Sequence, residues 1–148
     1  MLDDQGRVIH IDFGFMLTNA PGRLPGGVGF ENAPMKLTRE VLEVIGSDSN
    51  GAPSEMFDYF KVLCIQGFLA ARKQRDRIVT PVQVMARSGF PCFQGGGDRA
   101  VRALAARFAP ALSEGEVVQH VLGLIGDSLD SWSTRQYDYY QRVLNGIL

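Results

Sequence analysis

At the end of a short apolar run the sequence places Asp12, followed by Phe13 and Gly14, and a long loop opens beyond them. The phosphates of a nucleotide and their Mg²⁺ need a carboxylate held by a rigid strand, with a loop beyond it free to admit a second substrate. Ile11-Asp12-Phe13-Gly14 has that order, which makes Asp12 the candidate metal ligand. Taken alone the tripeptide is also ordinary turn chemistry, because Asp-Xaa-Gly recurs where strands end. The weight therefore falls on the elements that position it.

Arg7 to Asp12 alternate and include Val8, Ile9 and Ile11, after a turn at Asp4-Gln5-Gly6. This pattern predicts the second arm of a β-hairpin. From Gly14 to Met35 the chain holds five glycines and three prolines, which sustain neither a helix nor a central strand. A loop of that length inside a compact domain is usually functional.

Helical signals then dominate. Thr38 is an N-cap for a short helix closed by Gly46. Ser54 caps a longer one with Met56, Phe57, Phe60, Leu63, Cys64, Gly67, Phe68 and Ala71 at three- and four-residue steps, Gly67 permitting close packing. Thr80-Pro81 starts a segment through Arg87. Asp98 caps one with Val101, Leu104, Ala105 and Phe108, and Ser113 with Glu116 makes a capping box for the next, which presents Val117, Val121, Leu122, Ile125 and Leu129. A last helix from about Thr134 to Asn145 aligns Tyr137, Tyr140 and Leu144, with Tyr139 and Val143 on another side. The predicted fold is α+β and mostly α, one β-hairpin followed by about six helices.

The 148 residues are 45% hydrophobic, enough for one core. A formal charge of -1 excludes a general attraction to nucleic acid, so an anionic partner must be met locally. Cys64 and Cys92 lack metal-ligand spacing, and Cys64 reads as a reduced core thiol. No run approaches the roughly twenty apolar residues of a membrane span, and Met1-Leu2-Asp3-Asp4 shows no secretory leader.

The stretch Gly6-Arg7-Val8-Ile9-His10-Ile11-Asp12-Phe13-Gly14-Phe15 resembles the metal-binding segment of the phosphatidylinositol 3- and 4-kinase family. Gly29-Phe30-Glu31-Asn32-Ala33-Pro34-Met35-Lys36-Leu37-Thr38 looks like the activation-loop ending of its type III phosphatidylinositol 4-kinases, the beta type in particular. A protein kinase would show Ala-Pro-Glu there instead. The similarity continues through Met56 to Lys61, Gln66 to Lys73, Pro91 to Gly95, Tyr137-Asp138 and Asn145 to Leu148, and so covers essentially the whole chain.

The resemblance implies the C-terminal lobe of a protein-kinase-like lipid kinase domain, divided as strand pair 1–12, activation loop 12–38, helical lobe 38–133 and C-terminal helix 134–148. It implies ATP and Mg²⁺ (or Mn²⁺), and an ATP pocket touched by Ile11, Asp12 and Phe13. Phosphatidylinositol in a membrane surface would be the substrate, met by Lys36 and secondarily by Arg23, with no nucleic-acid partner. Two loop cations suit an unphosphorylated inositol ring, since added phosphates would ask for several more. Lys36 also fits a solvated lysine, Ile11 and Phe13 fit plain core residues, and His10 reads as a structural histidine.

Trp132, Tyr139, Val143, Ile147 and Leu148 suit the headgroup region of a bilayer, in line with the family's use of this end. A helix that merely packs its stripe on the domain gives the same pattern. The implied location is cytoplasmic and peripheral to a membrane, the Golgi or another endomembrane. The family's catalytic loop, Asp-Arg-His-x-x-Asn, would precede Met1, and its N-terminal lobe with the phosphate lysine is absent. The isolated chain is therefore expected to be inactive, with turnover belonging to a longer parent. The competing reading is a non-catalytic membrane or protein interaction module derived from a lipid kinase. A protein kinase remnant is disfavoured by Ala33-Pro34-Met35-Lys36.

Overall fold

The computed structural model describes residues 3–11, 16, 17, 19, 33–47, 51–129 and 143. Among the described residues five α-helices run in order: α1 Arg39–Val44, α2 Glu55–Lys73, α3 Arg75–Met85, α4 Gly97–Ala106 and α5 Glu114–Ser128, with a 3-10 turn at Pro91–Phe93 between α3 and α4. They pack as two pairs, α2 on α5 and α3 on α4, the 3-10 turn resting against α4.

Local chemistry sets the ends as the sequence predicts at three places. Thr38 Oγ1 accepts from Val41 N at 3.4 Å, and Ser54 Oγ accepts from Phe57 N at 3.0 Å while its hydroxyl donates to Ile45 O at 2.9 Å. One serine thus starts α2 and ties it to the end of α1. Gly46 takes φ +70 and closes α1, with Gly46 N bonded to Glu43 O and Ser47 N to Leu42 O. That is the paired C-terminal closure for which a glycine in the left-handed region is suited.

At α5 the capping box is complete. Ser113 N and Ser113 Oγ both donate to Glu116 Oε2 at 2.7 Å, and Glu116 N returns a bond to Ser113 Oγ. The side-chain bond from Ser113, then its backbone N–H, holds the Glu116 carboxyl below the usual glutamate range. A folded-state value below the unfolded one contributes stability above the unfolded pKa, and that contribution disappears as pH falls through the folded value. Thermal unfolding of the parent sequence and Glu116→Gln should therefore differ at pH 6 to 7 and converge below the glutamate range. The gap should be small, because this carboxylate is fully exposed.

The core gathers Leu37, Leu42, Phe57, Val117, Val121 and Ile125, with Phe60, Cys64, Phe68 and Leu129 half-buried around it. Phe68 meets His120 edge to face at 5.7 Å, joining α2 to α5. Burial pushes the Cys64 thiol up, in keeping with a reduced thiol beside the core, and both cysteines are free.

Five expectations need correction. First, the β-hairpin is not seen, and no strand occurs among the described residues. The turn itself forms: Asp3 N bonds to Arg7 O at 3.0 Å and Asp3 Oδ1 accepts from Gln5 N and Arg7 N. Val8 makes only an isolated bridge, and Val8 and Ile11 are 65% and 57% exposed, so among the described residues the segment has no apolar surface to lie on, and two paired strands alone are marginal.

Second, α3 begins at Arg75 and carries Pro81 in its interior. The carbonyl that Pro81 leaves unpaired belongs to the exposed Arg77, where water can serve it, while Val79 and Val82 are half-buried on the same helix. Third, Asp98 lies in the first turn of α4, and Gly96 holds the N-cap position. Gly97 fills the close approach instead, since a methyl there would collide with the Ala86 carbonyl at the end of α3.

Fourth, Met56 and Leu63 are exposed. The core stripe of α2 is Phe57, Phe60, Cys64 and Phe68, and each of the two outliers precedes a stripe residue by one position, about 100° around the helix. Fifth, Gly67 faces open space, with nothing near enough for it to permit close packing. The predicted last helix lies outside the described residues except Val143, which is helical and exposed.

Candidate functional site

Asp12 and Phe13 lie outside the described residues, as does Arg23. The residues leading to them are placed: His10 and Ile11 are exposed at the end of the segment that follows the Asp3–Arg7 turn. Ile11 therefore offers an apolar side chain to whatever contacts that edge.

Beyond Asp12, Met16, Leu17 and Asn19 are described. Asn19 N bonds to Met16 O at 2.9 Å, closing a turn, and Leu17 within it takes φ +53. A leucine in the left-handed region is uncommon and strained. Arg107, at the C-terminal end of α4, donates from Nη2 to the Leu17 carbonyl at 3.1 Å, across 90 positions of sequence.

The other end of the loop is also tied. Met35 N donates to Ser128 Oγ at 3.0 Å, and the Ser128 hydroxyl donates to Leu124 O at 2.7 Å. Ser128 is fully buried, so both its acceptor and its donor capacity are used where water cannot reach. Two residues on, Leu37 enters the core, and Thr38 caps α1. Lys36 sits between these anchors, exposed.

The structure thus presents the loop-ending cation predicted from sequence on a well-held backbone. Val143 is exposed, and the other residues predicted to touch a membrane, Trp132, Tyr139, Ile147 and Leu148, lie outside the described residues. Sequence reasoning passed over Arg107 and Ser128. Ser128 left a readable signal, a hydroxyl three positions after Ile125 on the buried side of α5. Arg107 left none, because it is one of several arginines along α3 and α4.

Among the described residues no three His, Cys, Asp or Glu side chains converge to hold a metal ion, and no helix is long and apolar enough to cross a membrane.

Comparison with known proteins fits this geometry. The profile described as phosphatidylinositol 3- and 4-kinase matches residues 1–95, a span that includes both Asp12 and Lys36. Phosphatidylinositol 4-kinase beta 1 of Arabidopsis thaliana is 62% identical over 148 residues, covering 100% of this chain and 13% of that protein. Phosphatidylinositol 4-kinase of Dictyostelium discoideum is 43% identical over 99% of this chain, and phosphatidylinositol 4-kinase beta of Callithrix jacchus 39% identical over 100%. The chain spans 12% and 17% of those two proteins. A profile match over more than half its length, in the region of both candidate residues, establishes that the chain belongs to the phosphatidylinositol 3- and 4-kinase family.

Proposed function

We propose that the chain is the metal-binding and headgroup-facing part of a phosphatidylinositol 4-kinase, the longer protein moving the γ-phosphoryl group of ATP to the 4-hydroxyl of phosphatidylinositol at a membrane surface. The observation that carries this reading is Lys36, held exposed between a backbone bond to buried Ser128 and the core side chain of Leu37, in a loop ending that resembles the type III enzymes. A phosphoryl-transfer site depends on positioning more than on covalent chemistry, so a substrate cation on an anchored backbone is what the reaction asks for.

Asp12 is the residue that would hold a nucleotide-bound Mg²⁺ or Mn²⁺, which offsets charge on the phosphates. Ile11 and Phe13 border the nucleotide, and Lys36, with Arg23, meets the inositol ring or its phosphodiester. In the transfer, the 4-oxygen of inositol bonds to the γ-phosphorus, the bond to the β-bridging oxygen breaks, ADP leaves and the hydroxyl proton passes to a base. That base and the phosphate lysine belong to parts of the domain these 148 residues do not contain. Trp132, Tyr139, Val143, Ile147 and Leu148 are the proposed membrane contacts, consistent with the exposure of Val143.

The test places these 148 residues in the corresponding segment of the Arabidopsis beta 1 protein and measures labelled phosphate transfer to phosphatidylinositol vesicles. Product bearing the phosphate at the 4-position is the expected result. Product at the 3-position, or phosphorylated peptide without phosphorylated lipid, would sink the reading. The second reading, a non-catalytic interaction module, draws on the exposed Met56, Tyr59 and Leu63 of α2. Vesicle binding by a segment-replaced protein that transfers no phosphate would favour it.

A further inference from the structure

We propose that Arg107 and Ser128 are positioning residues that pin the two ends of the substrate loop to the helical lobe. The role of the loop rests on the lipid-kinase reading above, whereas the clamp rests on geometry. Neither residue lies within the span matched by the family profile.

The near end begins five residues after Asp12. The turn at Met16–Asn19 forces Leu17 to φ +53, a conformation that persists only when surrounding structure holds it. Arg107 supplies that hold from α4: a guanidinium N–H on the Leu17 carbonyl is a charge-assisted bond, stronger than a neutral pair. The far end ends one residue before Lys36. There the Met35 N–H bonds to a serine hydroxyl that is fully buried on α5, which leaves little freedom for the backbone that carries the lysine.

Fixing both ends narrows the arrangements open to the chain between them. The segment that leaves the metal ligand is then tied to the helical lobe at the end of α4, and the segment that carries the headgroup cation is tied to it through α5. Two substrates on different ends of one loop are brought into register this way, and less order has to be gained when lipid binds.

The test uses two measurements. In the 148-residue chain, tryptic cleavage after Arg23 reads the freedom of the loop. Arg107→Ala should speed it about tenfold, the loss of one charge-assisted hydrogen bond, while lowering the thermal midpoint by no more than a few degrees. Arg107→Lys, which keeps a donor, should fall between. Ser128→Ala should speed cleavage similarly and expose the Met35 amide to hydrogen exchange. If Ser128→Ala does not fold, Ser128→Cys keeps the size with a weaker acceptor.

In the segment-replaced Arabidopsis protein, both alanine variants should raise KM for phosphatidylinositol vesicles about tenfold while KM for ATP moves far less, a split that general loss of structure would not produce. Unchanged cleavage after Arg23 in both variants overturns the clamp. Faster cleavage with an unchanged lipid KM overturns its role in substrate positioning. A segment-replaced protein with no lipid turnover sinks the lipid-kinase reading instead, and cleavage then decides the clamp alone.

Discussion

Asp12→Ala in the segment-replaced protein should lower phosphate transfer to phosphatidylinositol by about a hundredfold to a thousandfold, the scale on which losing one preorganised charge-stabilising group is felt. The argument starts from charge. A triphosphate and its leaving ADP carry negative charge on the oxygens around the reacting phosphorus, and a divalent ion is the largest local counter-charge available. If Asp12 is the ligand proposed above, an alanine at position 12 leaves the ion without one anchor.

Asp12→Asn separates charge from shape. It keeps the size of the side chain and a neutral oxygen, so a loss close to that of alanine identifies the carboxylate charge as the essential feature. Raised Mn²⁺ should recover part of the Asn variant and little of the Ala variant. Transfer within a few-fold of the parent in either variant would remove Asp12 from the site, and with it the nucleotide chemistry assigned to this chain.

How much of this was legible in the sequence follows from which interactions are local. Thr38, Ser54 and the Ser113–Glu116 pair act on backbone groups within one turn of themselves, and these three predicted caps form, whereas Asp98 falls inside the first turn of α4 behind Gly96. Gly46 is equally local, because its left-handed φ is a property of the residue itself. The periodicity of α5 placed Val117, Val121 and Ile125 on its buried side, as found.

What could not be read depends on partners far along the chain. Arg7 to Ile11 alternate as a strand does, yet alternation states only which side chains would share a face, and among the described residues no sheet lies beside them. Pro81 looked like a helix start because proline suits a first turn, but α3 runs from Arg75 and carries Pro81 in its interior. The apolar content of α2 exceeds what one core stripe needs, so spacing alone did not separate Phe57 and Cys64 from Met56 and Leu63. Lys36 was named from resemblance alone, while the bonds from Arg107 to Leu17 and from Met35 to Ser128 span 90 and 93 positions, beyond any local pattern.

Phe57→Ala should be the most damaging core substitution, costing about 3–5 kcal/mol, against a total of roughly 5–15 kcal/mol for a domain. Phe57 is only 1% exposed and belongs to the cluster joining Leu42 of α1 to Val117, Val121 and Ile125 of α5. Its ring stacks on Phe60 at 6.1 Å, and Lys61 Nζ lies 4.3 Å from its centroid while also pairing with Asp58. The cation is secondary: Lys61→Ala should cost about 0.5–1 kcal/mol, the scale of a cation over a ring near solvent. Phe57→Leu, which keeps most of the volume, should cost under about 1.5 kcal/mol if the site can repack. Denaturant midpoints of the three variants give the ordering Ala, then Leu, then Lys61→Ala from largest loss to smallest. Because Leu37 shares this cluster and directly follows Lys36, losing the ring should also loosen the end of the substrate loop, raising tryptic cleavage after Arg23 below the unfolding midpoint. A loss under about 1 kcal/mol for Phe57→Ala would mean that α2 does not organise the core, and the anchoring of the loop through Leu37 would fail with it.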